Sequence, residues 1–389
     1  MRKERTKGTF YCPGLEGIVA AITSISNINP THGNVAYRGY DIRALVRRST
    51  YEEVAFLLLY GRLPRVDEFE RFFSVLANNR ELPNDLLDVF RRLPPKAHPM
   101  DVLSTAVAFL GTVDPEGRDH SREAVFRKTI RTIAKLPTII ASSWRISQRL
   151  EPIHPIRHLT HAQNLLYMLS GYGPDEEAVN ALDRMLILYA EHEADVSSFT
   201  ARVAASSFTD YHSALLAAIG SLKGRLHGGA SEQVLRMLRN INDVCKAEKW
   251  VKDALQKRQR IMGFGDRVCK QGDARAQIMK NLSRDLANKT GDKSLHILCE
   301  KIEEIVFKEK GLHHNLNFYA GPILTMLSIP TDLCTPIFAA GRIAGWSAHI
   351  VEQFDNNKLV SPRFEYQGPE SLTYQPLEVR DDKTRISIV

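Results

Sequence analysis

The chain has 389 residues, 43% of them hydrophobic, enough for two domains or for one large domain carrying an insertion, and too much for a small module stapled by disulfides or metal. Its 52 basic and 45 acidic residues leave a formal charge of +7, but the signs are interspersed and no nucleic-acid-binding motif occurs, so small anionic molecules are expected as partners rather than RNA or DNA. No apolar run is long enough to cross a bilayer, and the basic opening Met1-Arg2-Lys3-Glu4-Arg5 leads into no leader-like apolar stretch, so a cytoplasmic protein away from membranes is expected. The five cysteines (Cys12, Cys245, Cys269, Cys299, Cys334) are scattered and never form Cys-x-x-Cys, which predicts reduced thiols and no zinc site.

Along the chain, two glycines and a β-branched run predict a short strand or hairpin over residues 13–22. Helices dominate from there. Thr50 and Glu53 are spaced as a capping box for the apolar Val54–Leu59 run, with Gly61 and Pro64 as the stop. Helical periodicity recurs over 65–82, 85–93 and from His98-Pro99 to Leu110, then over 123–150, 161–170, 174–189 and 199–222, joined by short turns. The chain is therefore predicted to be mainly α-helical. After Gly224 the composition becomes more charged and turns apolar again near Ile323–Ala340, which suggests a smaller domain over 225–335 inserted into a larger one formed by 1–224 and 336–389.

One stretch reads as a site rather than as core: Arg260-Ile261-Met262-Gly263-Phe264-Gly265-Asp266-Arg267-Val268-Cys269-Lys270-Gln271-Gly272-Asp273-Ala274-Arg275. Its glycines let the backbone approach a polyanionic ligand while Arg260, Arg267 and Lys270 supply charge. On their own, Gly263 and Gly265 are only a turn, since the third glycine of a dinucleotide fingerprint is missing. Glu191-His192-Glu193-Ala194-Asp195 is expected to be a solvated helix end rather than a metal site, because helical spacing sends its acids to different faces. His313 and His314 read as exposed loop histidines, Cys269 as a small apolar substitute, and His349, two turns after Arg342, as core packing or as a supporting partner.

Taken together, the segments Pro13-Gly14-Leu15-Glu16-Gly17, Tyr37-Arg38-Gly39-Tyr40, His98-Pro99-Met100-Asp101, Asn164-Leu165-Leu166-Tyr167, His192-Glu193, Leu226-His227-Gly228-Gly229-Ala230, Gly263-Phe264-Gly265 and Gly345-Trp346-Ser347-Ala348-His349 resemble the citrate synthase family in order and spacing. The resemblance covers nearly the whole chain and implies an almost all-α, two-domain homodimer that closes over acyl-CoA and an oxo acid. It implies acyl-CoA as cosubstrate, with no permanently bound cofactor and no metal. It implies a carbon–carbon bond made by deprotonating the CoA thioester, using a carboxylate base, a histidine that stabilises the enol and a second histidine that polarises the ketone.

Position by position, the resemblance makes His227 the enol-stabilising histidine and His192, Arg275 and Arg342 the oxo-acid-binding groups, with Arg260, Gly263, Gly265, Arg267 and Lys270 toward CoA. The chain departs from the pattern at the chemistry. Asp266 stands in place of the ketone-polarising histidine and Asn317 in place of the catalytic aspartate. Ser361 stands in place of an arginine that reaches the partner subunit's oxo acid, and Tyr189 in place of a histidine. An amide cannot act as a carboxylate base, and losing a positioned base costs about 10² to 10⁴ in rate. A charge on Asp266 roughly 4 Å from a dianion costs about 4 kcal/mol at an effective dielectric near 20, and losing an arginine contact adds about 1.5 to 3 kcal/mol, on the order of 10⁴ in oxaloacetate affinity together. Three functions remain open at this level: an enzyme with altered acyl-CoA condensation chemistry, residual citrate or 2-methylcitrate synthesis, and a non-catalytic CoA or oxo-acid sensor or dimeric scaffold.

Overall fold

The computed structural model describes residues 11–29, 31, 33–266 and 268–380. It divides into two compact units, Thr23–Leu359 on one hand and the flanking segments, through Ile22 and from Val360 onward, on the other. In the flanking unit the only regular elements among the described residues are 3₁₀ turns at Pro13–Leu15 and Leu377–Val379. The strand expected over 13–22 does not form. Gly14 and Gly17 sit at φ of 66° and 78°, which breaks an extended run, and the hairpin begins further on.

Within Thr23–Leu359 the strands Ser26–Asn29, Asn34–Tyr37 and Tyr40–Asp41 form an antiparallel sheet in that order, with Ser26 opposite Tyr37 and Asn29 opposite Asn34. Everything else of size is α-helix, as the periodicity predicts. The ends follow the expected chemistry. Thr50 caps Tyr51–Tyr60 by accepting the Glu53 N–H, and Gly61 closes it in the left-handed region at φ 81°. Thr160 and Gln163 form a reciprocal capping box on His161–Ser170. The single helix expected over 199–222 is two, Val196–Ser206 and Tyr211–Leu222. Phe208 at φ 58° turns the chain, and Asp210 caps the second helix by accepting the Ser213 N–H at 3.0 Å. The apolar period runs through both halves and hides the break.

The organising element is the Cys334–Asp355 helix, buried along almost its entire length. A helix that is apolar all round must be covered all round. Helices Tyr51–Tyr60, Arg122–Ser147, Glu176–Tyr189, Val196–Ser206 and Tyr211–Leu222 pack around it. Gly345 lets it approach closely, since a Cβ there would lie 2.2 Å from the Ala190 carbonyl oxygen. The helices Ala230–Ile241, Val244–Gln256, Ala274–Thr290, Ser294–Lys310 and Leu316–Met326 pack mainly on one another, and Ala230–Ile241 also touches the central helix. No helix among the described residues is long and apolar enough to cross a membrane.

Candidate functional site

Phe338, Arg342, Trp346 and His349 recur at helical spacing on the central helix, so one face of a buried element carries a cation and three rings. The segment Ala190–Ser198, between the helices ending at Tyr189 and beginning at Val196, lies against that face. It is not the solvated helix end expected from its composition. Glu191 is fully buried, where its Oε1 accepts from Ser26 Oγ at 2.9 Å and meets His349 Nε2 at 3.0 Å. Burial pushes the Glu191 carboxyl up, and His349 and Arg342 outweigh it and hold it below the ordinary range. His349 meets Arg202 Nη1 through its other nitrogen at 3.0 Å, and Arg202 pairs with Glu352 at 2.6 Å. His349 is therefore a bridge in a buried polar network rather than simple packing.

Arg275 is the second anchor. It is 1% exposed, its Nε and Nη2 donate to the Asp273 carboxylate, Nη1 donates to the Glu191 carbonyl at 2.9 Å, and Nη2 donates to His192 Nδ1 at 2.7 Å. Burial pushes Asp273 up, but the guanidinium more than offsets this and holds it low. Burial, and then the Arg275 charge, depress His192 to about 3, so its ring is neutral at physiological pH with Nδ1 as acceptor.

The third cluster joins His227 to Arg342. Ser197 Oγ lies 2.8 Å from His227 Nε2, donates to Asp195 Oδ1 at 2.7 Å and accepts from Trp346 Nε1 at 3.0 Å. Asp195 caps its helix through the Ser198 N–H, and its other oxygen ion-pairs with Arg342, whose Nε donates to the Tyr189 carbonyl at 2.5 Å. Burial holds His227 down at about 4, a neutral ring. Tyr189 stacks at a tilt on Phe338, and Arg342 lies 4.8 Å from the Phe338 ring centre.

The glycine-bearing loop docks on the segment before the Leu316–Met326 helix: Phe264 and His314 form an antiparallel bridge, the Gly265 N–H donates to the His313 carbonyl, and the Asn315 N–H donates to the Gly263 carbonyl. Gly263, at φ 85°, has no room for a side chain, because a Cβ would lie 2.6 Å from the Phe318 ring. This pairing brings Asp266 and Asn317 into one neighbourhood. Asp266 turns Oδ1 back to the Val268 and Cys269 N–H groups at 2.7 and 2.9 Å, while its charge acts on both His192 and Arg275. Asn317 Oδ1 accepts from Ser231 Oγ at 2.8 Å, four residues after His227.

The remaining expected site residues fall as follows. Arg260 and Lys270 are exposed on this loop, Arg267 lies outside the described residues, and Ser361 is exposed in the flanking unit. His314 is not an exposed loop residue: it is buried, with Nδ1 3.1 Å from Glu303 Oε1. Burial pushes the Cys269 thiol up to about 12, which fits a small apolar substitute. No cluster of metal-ligating side chains occurs among the described residues. Asp195, Ser197 and Trp346 were not singled out from sequence, although Asp-x-Ser at a helix start is a capping signal that could have found the first two.

The family model for citrate synthase, C-terminal domain, matches residues 14–363. Citrate synthase 2 from Bacillus subtilis (strain 168) is 42% identical over 368 residues, which is 94% of this chain and 98% of that protein. Citrate/2-methylcitrate synthase from the same organism is 41% identical, across 93% of this chain and 98% of that protein. A solved ternary complex of carboxymethyl coenzyme A and oxaloacetate with citrate synthase from Thermoplasma acidophilum superposes with a TM-score of 0.91 at 28% identity, over 95% of this chain and 99% of that one. The fold is mainly helical, and these matches define a transferase. The chain belongs to the citrate synthase family and is citrate/2-methylcitrate synthase-like.

Proposed function

We propose that the protein binds acyl-CoA and condenses it, as an acyltransferase converting acyl to alkyl on transfer, with a small oxo compound that carries less negative charge than oxaloacetate. The charge count around the second substrate's anchors supports this reading most. The two arginines, Arg275 and Arg342, are each already ion-paired, to Asp273 and Asp195, and Asp266 adds a third carboxylate. An incoming dianion meets a net negative surround. At roughly 4 Å and an effective dielectric near 20, one uncompensated like-charge contact costs about 4 kcal/mol, on the order of 10³ in affinity. A neutral or cationic group is spared that cost.

On this reading His227 faces the thioester, and His192, Arg275 and Arg342 position the electrophile with Asp266 and Asn317 at its reactive end. Gly263 and Gly265 let the loop backbone approach the CoA phosphates, which Arg260, Arg267 and Lys270 neutralise. Ser361 leaves the partner subunit's oxo acid without the arginine that the family pattern supplies. The helices of 225–335 act as a small domain against 1–224 and 336–389, and the working form is a homodimer. CoA is a cosubstrate, and no cofactor or metal is resident. The ligands carried by the Thermoplasma acidophilum neighbour, a CoA analogue among them, support the acyl-CoA half of the proposal.

Citrate or 2-methylcitrate synthesis at a residual rate is the second reading, favoured by the contacts that tie His192 to Arg275, His227 to Ser197 and Arg342 to Asp195. The double variant Asp266→His, Asn317→Asp separates the two. If the substitutions exclude oxaloacetate, the variant gains about 10² to 10⁴ in oxaloacetate-dependent thiol release, from the restored base and the removed charge. If the variant uses oxaloacetate no better than the unaltered protein does, these positions do not set the choice of electrophile.

A further inference from the structure

Ser197 Oγ holds three partners at once, and the chemistry of two of them decides the third. Trp346 Nε1–H can only donate, and the Asp195 carboxylate can only accept. Asp195 stands as a carboxylate in an ion pair with Arg342. The one hydroxyl proton of Ser197 is therefore committed to Asp195, and both of its lone pairs are left to receive. His227 Nε2, at 2.8 Å, must bring its own proton to that contact. The opposite arrangement would set a carboxylate oxygen and a hydroxyl oxygen 2.7 Å apart with no proton between them. Nε2–H means a bare Nδ1, and Nδ1 makes no hydrogen bond among the described residues, nor is it sealed from solvent, the side chain being 18% exposed.

We infer that Asp195, acting through Ser197, fixes His227 in the tautomer that leaves Nδ1 unprotonated, and that this nitrogen is the base that removes the α-proton of the acyl thioester in place of a carboxylate at position 317. The inference rests on the acyl-CoA reading above and deepens it. The step balances without a co-reactant: the α-carbon–hydrogen bond breaks, the proton moves to Nδ1, and the electron pair moves through the new carbon–carbon double bond onto the thioester oxygen. The resulting imidazolium donates Nε2–H toward Ser197, whose own proton points at a carboxylate, so the positive charge forms where a hydrogen-bonded anion can answer it. Asn317 cannot compete for the proton, and its carbonyl oxygen is taken up by Ser231. His227 stays neutral well below physiological pH, so the lone pair is present in the resting protein. Asp195 and Ser197 are positioning residues, since neither reaches the substrate in this scheme.

The test needs no second substrate. Histidine nitrogen-15 NMR of the full chain reads the His227 tautomer directly, and deuterium uptake from D₂O into the α-position of acetyl-CoA reads the base. The expected result is an Nε2–H tautomer with exchange well above buffer. Ser197→Ala should lose the tautomer preference. Asp195→Asn, whose amide can donate to Ser197 and turn the hydroxyl proton toward Nε2, should move His227 to Nδ1–H and cut exchange by about 10²-fold. If Asp195→Asn fails to fold, Ser197→Ala carries the test, because it leaves the helix cap and the Arg342 pair in place. An Nδ1–H tautomer in the unaltered protein overturns the inference, and so does exchange no faster than buffer, whatever electrophile the enzyme uses. Exchange that persists while no oxo compound releases thiol sinks the condensing reading and leaves this one standing.

Discussion

Arg275→Met should lower folding stability by about 3 to 5 kcal/mol, because it leaves a buried carboxylate without its partner. Asp273 is 6% exposed, so burial pushes its carboxyl up, and the Arg275 guanidinium, donating to both of its oxygens, outweighs this and holds it low. The same side chain donates to the buried Glu191 carbonyl and to the half-buried His192, so two further acceptors lose their donor. The double variant Arg275→Met, Asp273→Leu removes both charges and should recover much of the loss, which distinguishes an orphaned charge from lost packing. Urea denaturation of the two variants measures both effects. A single variant within 1 kcal/mol of the unaltered protein would mean that water already reaches Asp273.

His227→Ala should lower acyl-CoA-dependent thiol release by about 10² to 10⁴ and leave the unfolding midpoint nearly where it is. The split is expected from the local contacts. His227 sits at the rim of the Ser197 cluster, and without it Ser197 still donates to Asp195 and still accepts from Trp346, so no buried polar group is stranded. Among the described residues its only ring contact is the edge-on one to Phe338, at 6.1 Å between centroids. A variant that loses stability in step with activity would make His227 a structural residue.

The mainly helical fold was legible because its signals are local. Caps such as Thr50 and Thr160, stops such as Gly61, and the apolar run of the central helix each lie within a few residues of what they control. The misplaced hairpin and the unseen break near Phe208 show the limit of that method, since the positive φ at Gly14, Gly17 and Phe208 turns the chain without interrupting the apolar pattern. His192, His227, Arg275 and Arg342 were picked out by motif resemblance. Their supports were not. Glu191 and His349 are 158 residues apart and Ser197 and Trp346 149 apart, and they meet only because Gly345 lets the central helix close on Ala190. Asp195 looked like one more surface acid, and its pairing with Arg342 changes how much positive charge the site has left to offer.

Selection against a dianionic electrophile is the central claim, and thiol release tests it most directly. Acetyl-CoA and propionyl-CoA would each be presented with oxaloacetate, with a monocarboxylate oxo acid of similar size, and with oxo compounds that are neutral or carry an amine. The carboxylates of Asp195 and Asp266 beside Arg342 and Arg275 predict that kcat/KM is highest for one of the less anionic partners, with oxaloacetate at least about 10²-fold behind it. Oxaloacetate as the best partner of the panel would contradict the account.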